Sequence, residues 1–234
     1  MKKLLALAVL IVALPLAVMA TEVAPSPCEA GYLSTYLSTP GFSCTIGDKV
    51  FSNFGYTDTG SLTAAQINVS PDSTPLDPGF VFSGAWSALA GQSNDTKITY
   101  TVTVLPGGGA IEDASLSIGG SGVNGVGLVS VAEDICAGGS LPQCTNGTLE
   151  QLLVYDLGGG NIVNYASTTF APVMTVTVLK DISLVASGEG ELNFAVLSQV
   201  TNNFSEVPEP ATLTLLGTGL IGLGGVVRRR LRKS

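Results

Sequence analysis

The chain has 234 residues, with 10 Lys or Arg against 18 Asp or Glu, no histidine and a formal net charge of −8. Between residues 21 and 206 the imbalance is sharper, because Lys49, Lys97 and Lys180 stand against 17 acids, a formal charge of −14. Such a surface repels phosphate backbones and argues against a nucleic-acid partner, while the lack of histidine removes the common Ser-His and Cys-His catalytic arrangements.

The chain opens on Met1-Lys2-Lys3, continues through an apolar run, Leu4–Ala17, and reaches small residues at Val18-Met19-Ala20. This layout reads as a signal peptide over residues 1–20, cut after Ala20. Residues 21–206 are then expected to form one extracellular domain, long enough for a single substantial core.

Four cysteines lie in that segment. An even number in an oxidising compartment argues for disulfides, and of the three possible pairings loop closure favours Cys28–Cys44 and Cys136–Cys144. A zinc site is disfavoured, since there is no Cys-x-x-Cys pair and no histidine. No metal and no other cofactor is expected; weak divalent-cation binding by the acidic surface is a minor reading.

Between the first two cysteines, Tyr32/Tyr36 and Leu33/Leu37 repeat at i, i+4, and Pro40-Gly41 would end a short helix there. From Cys44 onward the period is two. Ile98, Tyr100, Val102 and Val104 alternate with threonines, as do Met174, Val176 and Val178. Further strands are expected within Cys44–Phe54, Leu62–Val69, Gly79–Trp86, Ile111–Ile118, Val126–Val131, Leu149–Asp156, Ile182–Ala186 and Leu192–Val200, separated by Gly-rich turns. The expected fold is mainly β, an antiparallel β-sandwich or jelly roll with one short helix between Cys28 and Cys44.

Little in this body points to catalysis. Gly120-Ser121-Gly122-Val123-Asn124-Gly125 matches a dinucleotide fingerprint, but a strand pattern follows where a helix is required, so it reads as a turn. No Ser-x-x-Lys, Gly-x-Ser-x-Gly or P-loop is present. Glu112-Asp113 and Glu133-Asp134 are the adjacent carboxylates. Neighbours on a strand point to opposite faces, so both pairs are read as solvated turn charges. The body is therefore expected not to be an enzyme. Trp86 with Tyr56, Tyr100, Tyr155 or Tyr165 is the candidate stacking surface of an exopolysaccharide-binding module, the second reading, and a carboxylate-dependent glycosidase is the third.

The chain ends on Val207-Pro208-Glu209-Pro210, an uncharged run of 17 residues over 211–227, and Arg228-Arg229-Arg230-Leu231-Arg232-Lys233-Ser234. As a helix the apolar run would be about 25 Å long, enough for a marginal membrane span, and the basic end would stay in the cytoplasm. The order of triplet, apolar segment and arginine cluster over residues 207–234 resembles the PEP-CTERM sorting tail. The resemblance implies export, transient membrane insertion, and processing near Pro208, Glu209 and Pro210 by an exosortase-type enzyme. Arg228, Arg229 and Arg230 would act as the stop, with delivery to the cell surface or extracellular matrix. If the tail is removed, the mature protein ends near Val207 and keeps no transmembrane helix.

Overall fold

The computed structural model describes residues 25–60, 62–188 and 192–206. The expected signal peptide and the C-terminal tail, with Pro208 to Pro210 and Arg228 to Arg230, lie outside the described residues.

The N-terminal part runs through β1 (Gly31–Tyr32), helix α1 (Leu33–Leu37), the hairpin of β2 (Ser43–Ile46) and β3 (Lys49–Asp58), a 3-10 turn (Ala64–Gln66) and β4 (Asn68–Asp72). Then follow β5 (Gly79–Leu89), β6 (Gln92–Val104), β7 (Ile111–Gly119), β8 (Gly122–Asn124) and β9 (Val126–Ala137). The last are β10 (Thr148–Asp156), β11 (Ile162–Val163), β12 (Tyr165–Val173), β13 (Thr175–Ser187) and β14 (Phe194–Asn203). They form two seven-stranded antiparallel sheets. One has the order β11-β10-β9-β13-β6-β3-β2; the other has β1-β4-β5-β14-β7-β12, with β8 beside β14.

Alternation explains the sheets. Ile98, Tyr100, Val102 and Val104 of β6 are buried while the threonines between them are half-exposed, and β13 buries Val176, Val178, Ile182 and Leu184 in the same way. Both inner faces contribute to one hydrophobic core, joined by Phe80, Phe82, Leu116, Leu197 and Val200 from the second sheet. Around Tyr100 the core is aromatic: Phe54 lies 5.9 Å away, Phe82 6.0 Å and Phe204 6.3 Å between ring centroids. The fully buried rings, Phe82 and Phe204 among them, each contribute about 1.5–3 kcal/mol.

Several expectations need correcting. The helix forms between the cysteines, but Tyr32 only precedes it and stays more than half exposed, whereas Leu33 and Tyr36 enter the core. Tyr36 packs edge-on against Phe42 and Phe54, which is a stronger constraint than an i, i+4 tyrosine stack. The segment Leu62–Val69 begins as the 3-10 turn, fixed by a capping box between Thr63 and Gln66, and becomes a strand only at Asn68. The two strands expected around Lys180 are one. Lys180 falls in the buried row of β13, and Asp181 on the outer face pairs with Lys97 at 3.1 Å. β9 likewise runs past Val131 to Ala137, so Glu133 is not a turn residue. Strand β12 was not expected: its residues are all exposed or half-exposed, so no apolar alternation marks it. The glycine-rich Gly120–Gly125 stretch is indeed followed by a strand, β9, and itself holds the short β8.

Candidate functional site

Two clusters of charged side chains stand out, one where the described chain ends and one inside the core. β14 ends at Asn203, whose Nδ2 donates to Asp72 Oδ2 and to the Asp77 carbonyl, both at 2.9 Å. Phe204 follows and is fully buried. The Ser205 N–H donates to Asp113 Oδ1 at 3.3 Å, and the Glu206 N–H donates to the Leu76 carbonyl at 3.1 Å. Glu206 Oε1 then meets Lys49 Nζ at 2.7 Å, and Lys49 is wholly buried.

Asp48 completes this clasp. Its Oδ1 lies 2.7 Å from Lys49 Nζ and its Oδ2 accepts the Gly109 N–H at 2.9 Å. Burial pushes the Asp48 carboxyl up, yet the hydrogen bonds and charge of Lys49 and the Gly109 N–H outweigh it and hold the group below its ordinary value. A Cβ at Gly109 would stand 2.5 Å from Glu206 Oε2, so a larger residue there would push the Glu206 carboxylate aside. The N-terminal segment reaches the same hairpin. Thr45 pairs with Val50, next to Lys49, and its N–H donates to the Ser26 carbonyl at 2.9 Å. Both ends of the described chain therefore lie at the β2–β3 hairpin. The Cys28–Cys44 disulfide ties the incoming segment to β2, and Cys136–Cys144 closes the loop after β9.

The second cluster joins the two sheets. Lys180 on β13 and Glu133 on β9 are a direct cross-strand pair, and Lys180 Nζ contacts Glu133 Oε2. From the facing sheet, Asn202 on β14 brings its Oδ1 to 3.3 Å from Lys180 Nζ. Its Nδ2 donates to Glu133 Oε1 at 2.9 Å and to the Ser115 carbonyl at 2.8 Å. The Tyr100 hydroxyl donates to Asn202 Oδ1. All four side chains are buried at 1% exposure or less. Burial pushes the Glu133 carboxyl up against the opposing pull of Lys180 and Asn202, and it pushes the Lys180 amine down against the pull of Glu133. Tyr100 is raised well above its ordinary value, first by burial and then by the Glu133 charge, so it stays a donor.

The residues singled out from sequence fare differently. Trp86 and Tyr100 lie in the core, and Trp86 Nε1 has no hydrogen-bond partner. The Tyr56 hydroxyl is spent on the Leu62 carbonyl at 2.7 Å. Of the aromatic set, Tyr165 is well exposed and Tyr155 half-exposed, so no row of five stacking rings is assembled. Glu112 and Asp113 lie on β7, apart from buried Glu133. Sequence reasoning missed Lys180 and Asn202 and read Glu133 as a solvated turn charge, although each sits in phase with a buried apolar row: Val178 and Ile182, Val131 and Ile135, and Val200. That phase was the available signal. Among the described residues no group of three or more His, Cys, Asp or Glu is arranged to hold a metal ion, and no helix is long and apolar enough to cross a membrane.

Comparison with known proteins adds one finding and one blank. A family model described as the PEP-CTERM protein-sorting motif matches residues 206–230. No curated protein matches the chain.

Proposed function

We propose, from the PEP-CTERM motif that the chain carries, that this is a non-catalytic structural protein of the cell surface or extracellular matrix. The motif implies an exported protein sorted by its C-terminus, with an exosortase-type enzyme as processing partner. In this reading the body is a β-sandwich, the tail enters the membrane transiently through residues 211–227, and the mature chain ends near Val207.

The observation that carries the reading is the join between body and motif. Glu206, where the motif begins, is clamped by buried Lys49, and Pro208 lies two residues on. That distance is at most about 7 Å of chain. A tail attached so closely serves delivery of a finished body; it leaves no spacer for an independently moving domain. The −14 body suits a soluble existence outside the cell.

Replacing Pro208, Glu209 and Pro210 together by alanine is expected to leave the full-length chain in the membrane fraction, where the unaltered protein loses the tail. Immunoblotting against the body reads this directly. Equal shortening in both would remove the processing proposal.

A second reading, an exopolysaccharide-binding module, rests on half-exposed Tyr155 of β10 and exposed Tyr165 of the edge strand β12. Retention on purified matrix polysaccharide no greater than that of an unrelated acidic β protein would dismiss it.

A further inference from the structure

We infer that Lys180 and Asn202 join in an intramolecular amide bond that ties the two sheets together, with Glu133 as proton carrier. Three reactants of that reaction stand in contact: an amine, a carboxamide whose oxygen lies 3.3 Å from it, and a carboxyl group hydrogen-bonded to both. Nζ is thus in hydrogen-bond reach of Oδ1, one bond away from the Cγ it would attack, and prepaid positioning of this kind lowers the barrier to an otherwise slow aminolysis.

The surroundings set the reactive forms. An amine attacks only as the free base, and burial drives Lys180 that way while it drives Glu133 toward its acid form. Asn202 is held in one orientation, because its oxygen accepts from Tyr100 and Lys180 while its nitrogen donates to Ser115 and Glu133. The Tyr100 hydroxyl thus faces the oxygen on which charge develops. Phe54, Phe82 and Phe204 pack around Tyr100, so water, the competing nucleophile, is excluded.

The step balances without an outside reactant. The Lys180 Nζ lone pair forms a bond to Asn202 Cγ, and the carbonyl electron pair moves onto Oδ1, held by Tyr100. Glu133 gives its proton to Nδ2 and takes one from Nζ. The Cγ–Nδ2 bond breaks, the carbonyl re-forms and one ammonia leaves. The product amide keeps Glu133 and Tyr100 as hydrogen-bond partners and leaves no buried amine to be neutralised.

Trypsin digestion of the full chain, denatured, reduced and alkylated, tests the bond. The body has cleavage sites only at Lys49, Lys97 and Lys180. The folded wild-type protein is expected to resist cutting after Lys180, so that residues 98–180 stay joined to the segment beginning at Asp181, with the loss of one ammonia, about 17 Da. Glu133→Gln and Asn202→Ala are expected to restore the cut and the full mass. A fragment ending at Lys180 with ordinary mass, from wild-type protein with both disulfides formed, overturns the bond. So does an ammonia loss accompanied by normal cutting at Lys180, the signature of cyclisation at Asn124-Gly125 or Asn146-Gly147. A bond that still forms in Glu133→Gln overturns the role given to the carboxyl group. None of these results depends on whether the C-terminal tail is processed.

Discussion

Glu133→Ala is expected to lower stability by about 3–5 kcal/mol, the cost of stranding one member of a buried pair. At about 2–4 °C per kcal/mol for a chain of this size, thermal unfolding followed by circular dichroism should move down by about 10 °C or more. The variant leaves the Lys180 amine in a fully buried site with only Asn202 for company. Lys180→Met should cost less, because Glu133 can take up a proton and keep its bond to Asn202, whereas in Glu133→Ala the amine, even as the free base, keeps only Asn202 Oδ1 and Asn202 Nδ2 loses a partner. The cross-link is lost in both variants, so the comparison isolates the stranded group. Equal losses in the two would mean that the cluster acts only through the covalent tie, and no loss in either would mean that it does not hold the sheets together.

Replacing Cys28 and Cys44 together by serine is expected to cost about 3 kcal/mol, from the entropy returned to a loop of 16 residues in the unfolded chain. The effect reaches beyond stability. Residues 25–28 run beside β2, the edge strand of its sheet, and shield the backbone groups of Thr45. Loosening that segment exposes an unpaired edge, which invites strand pairing between copies. The double variant should therefore melt lower and elute as larger species at high concentration, read by size-exclusion chromatography. Unchanged elution would show that the edge is protected without the strap.

These two sites explain what the sequence did and did not disclose. β6 and the first half of β13 were legible because each shows apolar residues strictly alternating with threonine and has one buried face. Both disulfides followed from short loops, and the Cys28–Cys44 helix from its apolar spacing and the Pro-Gly stop. β12 was illegible because its inner face is only half-buried and includes Thr168 beside Ala166 and Phe170, so its apolar alternation is weak.

The buried cluster was illegible for a different reason. A lone Lys180 between Val178 and Ile182 lowers local hydropathy and looks like the end of a strand, as Glu133 does after Val131. Only the pairing of β13 with β9, and the packing of β14 across from them, shows that the charges answer one another. Partners separated by 22 to 102 residues carry no mutual mark in one sequence. The clasp was hidden in the same way, since Lys49 and Glu206 meet only after the hairpin and the end of β14 are brought together.

Those two clusters give the sorting motif its physical setting. The chain is tied to the body through its last described residue, and the basic residues of residues 21–206 each pair with an acid: Lys49 with Glu206 and Asp48, Lys97 with Asp181, Lys180 with Glu133. The free charge of the surface is thus acidic, and the arginines of the tail are the only large basic group in the chain after the first three residues. Removing that tail would separate the one cationic segment from an acidic body.

The most direct test is the identity of the C-terminal residue of the protein recovered outside the cell, read by mass spectrometry of its last peptide. A terminus between Glu206 and Pro210, with no trace of Arg228 to Arg230, is the predicted result. A terminus at Ser234 in the exported protein would contradict it.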